Sequence, residues 1–510
     1  MKIKLLSLFL LTVLILGLLC SCGAQSGKDG ETSANPETNP QNNQTETDRS
    51  DETKPETETR ILPSIPASYD FGGETFTFGA WEADGVWADT VRLYRDLYSD
   101  EPSGDLVKDQ VFYRNSRISQ NYKVEIAQEL FPYVEFMNKL SMAVSSGAHE
   151  WNAVLPMLLT DPQLITKDLF LNLHEVPHMD LSKPWYDQSA MEQLEVIDTL
   201  YLVPCAINVN DKDATAAIAF NKALAEDYQI SSAELYNLAR NGKWTLEALS
   251  KYCEGIHEDT NNDGKMDEND FYGFLGKHDV APSFKDGADS HFVTKDSDGF
   301  YEFTFGDVRD YDLTEDILNF MHSDFFFNHH EAGIDDPAFT RMFMNGQGIF
   351  FWIRMDEITT MRGSEVEFGL LPTPKYEESQ DFYSSYVSKN TTGILHILKT
   401  ITGAQLDLTG MIVEALAADS YYDVQKAYVE DSLQRKYVHD SESSDMVPLI
   451  FEHRIFDPGD IYNFGDIGNK YLFIAQNQGS GVLSSMLAGI EGKIDSEIRT
   501  FNEKIEDIAF

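Results

Sequence analysis

Residues 70–81 read DFGGETFTFGAW, and residues 104–126 read GDLVKDQVFYRNSRISQNYKVEI. Within them, ETFTFGAW has the aromatic and β-branched content of a strand. LVKDQVFYRNSRISQNY carries helical periodicity, and YKVEIAQEL (122–130) turns strand-like again. The same alternation continues along the chain. EWNAVLPMLL (150–159), TLYLVPCAINV (199–209), ATAAIAFNK (214–222) and QGIFFWI (347–353) predict strands. PQLITKDLFLNL (162–173), DDPAFTRMFMN (335–345) and the stretch from 480 to 508 predict helices. Strands alternating with helices indicate an α/β protein with largely parallel sheets. No repeat is visible between residues 62 and 510. That span is too long for one core and divides into two lobes.

The N-terminus sets the compartment. Lys2 and Lys4 precede a Leu-rich run over residues 5–19, a charged and then apolar pattern too short for a comfortable membrane span. Leu19-Cys20-Ser21-Cys22 resembles the bacterial lipobox, which implies a signal peptide over 1–21 and diacylglycerol on Cys22. Residues 22–61 are mostly Gly, Ser, Thr, Asn, Gln, Glu and Pro, so they are expected to stay disordered as an acidic tether. Loss of Lys2 and Lys4 with the leader takes the formal net charge from −46 to −48. Such a chain repels nucleic acid. Outside the leader only Cys205 and Cys253 remain, which argues against a disulfide framework or a zinc site and for buried thiols.

Residues 259–270, DTNNDGKMDEND, put oxygen donors at positions 1, 3, 5, 7, 9 and 12 of a calcium loop. The donors are Asp259, Asn261, Asp263, the Lys265 carbonyl, Asp267 and Asp270, with Gly264 at the turn. Asp270 stands where an EF-hand has Glu, so the loop looks more like a dockerin repeat. It stands alone between a helical stretch with Thr245 as N-cap and the strand-like FYGFLG, which predicts a structural calcium staple and not a switch.

The stretches quoted first resemble the opening of bacterial extracellular solute-binding lipoproteins of ABC importers, in the family-1 group with sugar-binding members. The likeness continues through DLSKPWYDQSA (180–190), residues 201–228, NGKWTLEAL (241–249), residues 345–385 and residues 414–446. TTGILHILKT (391–400) departs from it, since relatives commonly carry a Pro- and Asn-rich stretch there. The resemblance implies a two-lobe periplasmic-binding-protein-like fold of type II, with a ligand cleft between lobes joined by hinge crossovers near 204–211, 370–374 and 448–458. The first lobe would be 62–205 with 372–450, and the second 206–371 with 455–510. It further implies a monomer on the outer face of the cell membrane that captures a carbohydrate, expected to be an oligosaccharide, by cleft closure for ABC permease subunits.

Sugars are held by aromatic rings on their C–H faces and by polar side chains on their hydroxyls. Trp81 after the first strand, Trp87 in the following loop and Trp352 at the end of GIFFW are the aromatic candidates. Asn208, Asn210 and Asp211 at the first crossover, with Arg354 and Tyr386 near the second, are the others. Trp185 and Trp244 belong to packing. His329-His330-Glu331 is expected to be a solvated pair of histidines at a helix end. No HExxH, GxSxG or Walker loop is present, so a binder is expected over an enzyme. A ligand-presenting sensor accessory, a binder of a non-sugar solute and a secreted glycan-active enzyme are the alternatives.

Overall fold

The computed structural model describes residues 60–82, 96–158, 164–361, 365–429, 441–477 and 481–509. The leader, Cys22, the tether up to Thr59 and Trp87 lie outside the described residues. In the first lobe, β1 (Glu74–Glu82) lies between β2 (Val124–Pro132) and β3 (Ala153–Leu155), parallel to both. Helix α1 (Leu106–Tyr122) links β1 to β2. Asp105 caps it by accepting the N–H groups of Val107 and Lys108, and Lys123 ends it at φ 51°. Beyond β3 the chain returns antiparallel through the bridges Met157–Gly393 and Val154–His396, and Val203 pairs with Leu395 on the far side.

The second lobe is built on β4 (Ala216–Asn221), β6 (Phe271–Gly276) and β10 (Gly348–Arg354). Every residue of these strands is buried, as continuous apolar runs covered on both faces must be. The order is β11 (Phe368–Leu371), β4, β10, β6, with β5 (His257–Glu258) and β9 (Phe326–Asn328) on the outer side of β6. Strands β6, β9 and β10 run in one direction, while β4 and β11 run against their neighbours. The expectation of parallel sheets therefore holds for the first lobe, and the second sheet is mixed. A hairpin of β7 (Val293–Lys295) and β8 (Tyr301–Phe303) packs on the last helix, Val482–Ala509.

Among the described residues three passages join the lobes. The first leads from Val203 through 208–215 into β4. The second runs through β12 (Ser384–Tyr386), and the third through β13 (His453–Ile455), parallel to it. The second passage lies later than the expected 370–374. Residues 372–383 are held to the second lobe by the Trp244 indole on the Pro372 carbonyl, Tyr376 on Asp316 and Gln380 on the Gly287 carbonyl. The helix Ser441–Phe451 packs against β11 and the helix Ser232–Arg240, so it adjoins the second sheet and not the first. Trp185 and Trp244 are core residues, and Thr245 Oγ1 caps its helix by accepting the Ala248 N–H.

Candidate functional site

Ligands of open α/β sheets bind beyond the carboxyl ends of the strands. In the second lobe three parallel strands end together, and each passes directly from apolar residues into charged ones: FLG into Lys277-His278-Asp279, FFN into His329-His330, FWI into Arg354 and then Asp356-Glu357. Lys277, 1% exposed, donates to Glu357 Oε1 at 2.6 Å and reaches Asp336 Oδ1 at 3.0 Å. His329 Nε2 meets the same Asp336 oxygen at 3.0 Å. Arg354 lies 3.2 Å from Asp356 Oδ1 and 3.4 Å from Glu357 Oε1. The result is a dense, paired charge network at the sheet edge.

Its electrostatics follow from burial and pairing. Burial pulls the Lys277 ammonium down, but Glu357 and Asp336 more than offset it, so its affinity for a proton is raised. Asp336 is held well below the usual carboxylate range against its own burial by the His329 hydrogen bond and Lys277. Burial lifts Asp356 to about 6 despite Arg354. Burial, then the neighbouring His278 and His329, push His330 down to about 3. Near neutral pH the cluster therefore presents fixed charges and a neutral His330 ring.

The crossover asparagines have a different task. Asn208 Nδ2 donates to the Gly393 carbonyl at 3.0 Å, and Asn210 Oδ1 accepts the Gly393 N–H at 2.9 Å. Together they clip the first passage to the returning strand. Asp211 is ion-paired with Arg454 of β13 at 2.5 Å. Trp352 is wholly enclosed, with its indole N–H donated to Ser283 Oγ at 2.9 Å. Trp81 and Tyr386 are also interior, Trp81 lying edge-on to Tyr133 at 6.2 Å. Of the ligand candidates named from sequence, Arg354 alone among the described residues belongs to the strand-end cluster, and the histidine pair His329 and His330 joins it there. The expectation of two solvated histidines at a helix end is corrected: His329 is 2% exposed, and the pair opens the one-turn helix His329–Ala332.

The loop 259–270 lies between the helix Leu246–Cys253 and β6, as expected. Gly264 has φ +80°, and Asp259 wraps the turn by accepting the Asp263 and Gly264 N–H groups at 3.2 and 2.8 Å. Asp270 accepts the N–H groups of Thr260 at 3.0 Å and Asp267 at 2.8 Å. Among the described residues no three His, Cys, Asp or Glu side chains converge as a metal site. The donor chemistry and the turn suit calcium, and an ion would draw these carboxylates away from the amides they now accept.

No family model matches the chain, and no curated protein matches it. Solved structures do. The sugar-binding protein MalE from Xanthomonas citri is similar at a TM-score of 0.53 and 14% identity, over 85% of this chain and 98% of that one. A cyclo/maltodextrin-binding protein complexed with maltotetraose gives 0.52 and 14%, over 84% and 98%. An ABC transporter solute-binding protein from Agrobacterium radiobacter K84, in complex with ribitol, gives 0.51 and 11%, over 84% and 100%. At such identity the likeness establishes the fold. It is the two-lobe α/β architecture of the solute-binding proteins of ABC importers, as the sequence resemblance implied.

Proposed function

We propose that this protein is a receptor that captures a carbohydrate, an oligosaccharide by preference, in the cleft between its lobes and delivers it to an ABC permease. The observation that carries this reading is the convergence of β6, β9 and β10 on one polar edge, within a fold shared with proteins described as binding sugars. Arg354, Lys277, Glu357 and Asp336 line that edge as mutually paired cations and carboxylates, with Asp336 the most accessible of the four to a hydroxyl group. Lobe closure over the ligand would exclude water and strengthen these bonds. On the same reading the chain works as a monomer anchored by lipid on Cys22, and calcium in the loop 259–270 staples the second lobe. Capture without turnover is expected on this reading, in keeping with neighbours described as binding proteins.

A thermal-shift screen of the purified chain against linear saccharides tests the reading. A ligand at about a hundredfold excess over its Kd adds about 2.7 kcal/mol and raises the melting point visibly. A saccharide that shifts the melt and is recovered intact supports the receptor. Recovery of cleaved sugar, or no shift with any saccharide, overturns it.

A further inference from the structure

The first passage carries a cation that its surroundings leave without a proper partner. Lys212 lies in the short helix Asn210–Asp213, with its side chain only 19% exposed. Among the described residues its ammonium makes no hydrogen bond, and the carboxylate oxygen within ion-pair reach is Asp211 Oδ2 at 3.8 Å. That oxygen is already held by a terminal nitrogen of Arg454, whose other terminal nitrogen holds Asp187. Burial pulls the Lys212 proton affinity down, and Asp211 restores it only in part. An ammonium so shielded from water, with no hydrogen-bonded partner, is costly, and a further oxygen acceptor would offset that cost.

Lys212 lines a cavity of about 640 Å³. First-lobe walls come from Pro184, just ahead of the helix Gln188–Leu194, and from Tyr421 at the end of the helix Gly403–Tyr422. The opposite walls are Pro448 and Phe451 of the helix Ser441–Phe451, which adjoins the second sheet. Pro184, Tyr421 and Pro448 are exposed and Phe451 is half-buried, so the core does not consume these apolar faces. Arg454, Asp211 and Asp187 line the cavity too, already committed to one another. Glu452, the remaining charge among the described lining residues, is exposed, so water screens it. No residue of the strand-end cluster is among the lining residues. An apolar enclosure with one under-used ammonium is the chemistry that takes an apolar body ending in an oxyanion.

We infer that this cavity binds a small apolar carboxylate, its oxygens on the Lys212 ammonium and its hydrocarbon body against Tyr421 and Phe451. The site is separate from the strand-end cluster and stands whether or not the carbohydrate reading does. Because its walls come from both lobes, an occupant bridges them beside the first and third passages.

Calorimetry on the purified chain with 3-phenylpropionate and with decanoate, each beside its primary amide, tests this. At least one carboxylate should bind, and its amide should bind about tenfold more weakly, because a charge-assisted hydrogen bond is roughly twice as strong as a neutral one. Lys212→Met should bind acid and amide alike, while Lys212→Arg keeps the preference for the acid. Arg454 still pairs Asp211 and Asp187 in Lys212→Met, so that variant should melt close to the wild type. Phe451→Ala leaves the passage untouched and should weaken acid and amide together, which keeps the test available if Lys212→Met fails to fold. No binding of either carboxylate by the wild type, equal binding of acid and amide, an unchanged preference in Lys212→Met, or unchanged affinity in Phe451→Ala overturns the site.

Discussion

Arg454 and Asp211 join the third and first passages between the lobes through an ion pair of 2.5 Å that is almost wholly shielded from water, the two residues being 3% and 1% exposed. The same guanidinium also binds Asp187, the N-cap of the helix Gln188–Leu194 in the first lobe. Three residues on, Asp457 is bound by Lys285 of the second lobe at 2.7 Å. The third passage is therefore bolted to both lobes within one turn of chain. Removing one partner of a buried pair leaves an uncompensated charge and costs about 3–5 kcal/mol. Arg454→Met should lose that much in urea denaturation. Arg454→Lys should fall between, because an ammonium cannot serve two carboxylates in the fork geometry of Arg. Wild-type stability in Arg454→Met would show that the pair contributes nothing.

His396 gives a pH dependence with a definite sign. It is fully buried on the returning strand, its ring 4.2 Å from Phe170. Nδ1 lies 2.8 Å from the Ile394 carbonyl, which can only accept, so Nδ1 carries the proton. Burial lowers its affinity for a second proton to about 3, from an ordinary 6.5. The folded value is depressed, so the unfolded chain takes up the proton first. Stability is complete above about pH 6.5 and falls as pH drops toward 3, by at most about 4–5 kcal/mol from this group. His396→Gln should lose less stability than wild type between pH 7 and pH 4. Equal losses in the two proteins would remove His396 as a cause.

Much of this was legible in the sequence because strand burial is a local property. The runs AAIAFN, FYGFLG and GIFFWIR read as strands and are strands, since each is apolar enough to be covered on both faces. The first unit, from Glu74 to Pro132, kept the expected order, and Asp105 and Lys123 mark its helix. The site was less legible. Trp352 carries an aromatic signal, but alternation along β10 decides which face a side chain takes, and sequence alone did not say which face meets the Ser283 helix. The better signal was the abrupt change from apolar to charged residues at KHD, HHE and RMDE. Which carboxylate pairs with which cation could not be read, because Lys277 and Glu357 are brought together only by the sheet. The second passage was misplaced for a similar reason: residues 372–383 were expected in the first lobe but are tied to the second by single hydrogen bonds with distant segments.

Trp352→Phe separates packing from recognition. The enclosed indole donates to the fully buried Ser283 hydroxyl, and a phenyl ring leaves that oxygen without its donor. A buried group deprived of its partner costs about 1–3 kcal/mol. Stability should fall by that amount, while affinity for a bound saccharide stays within about twofold. A large loss of affinity at unchanged stability would instead make Trp352 a ligand contact.

Calcium is tested in the loop itself. The carboxylates of Asp259 and Asp270 now accept amides of their own turn, so the loop holds its shape with hydrogen bonds that a cation would partly replace. Binding confined to the folded state raises stability by mass action, by about 2.7 kcal/mol at a hundredfold excess over Kd. Extracellular modules bind calcium at roughly 0.1–1 mM, so a chain stripped with EDTA should gain stability as calcium rises through that range. Magnesium should substitute poorly, because it demands a tighter octahedral set than a flexible loop of Asp and Asn provides. Asp263→Ala removes the ligand at position 5, and it should abolish the calcium response while leaving the EDTA-treated melt close to wild type. If wild type and Asp263→Ala respond alike, or neither responds at millimolar calcium, the staple is an Asp- and Asn-rich turn held by its own amides alone.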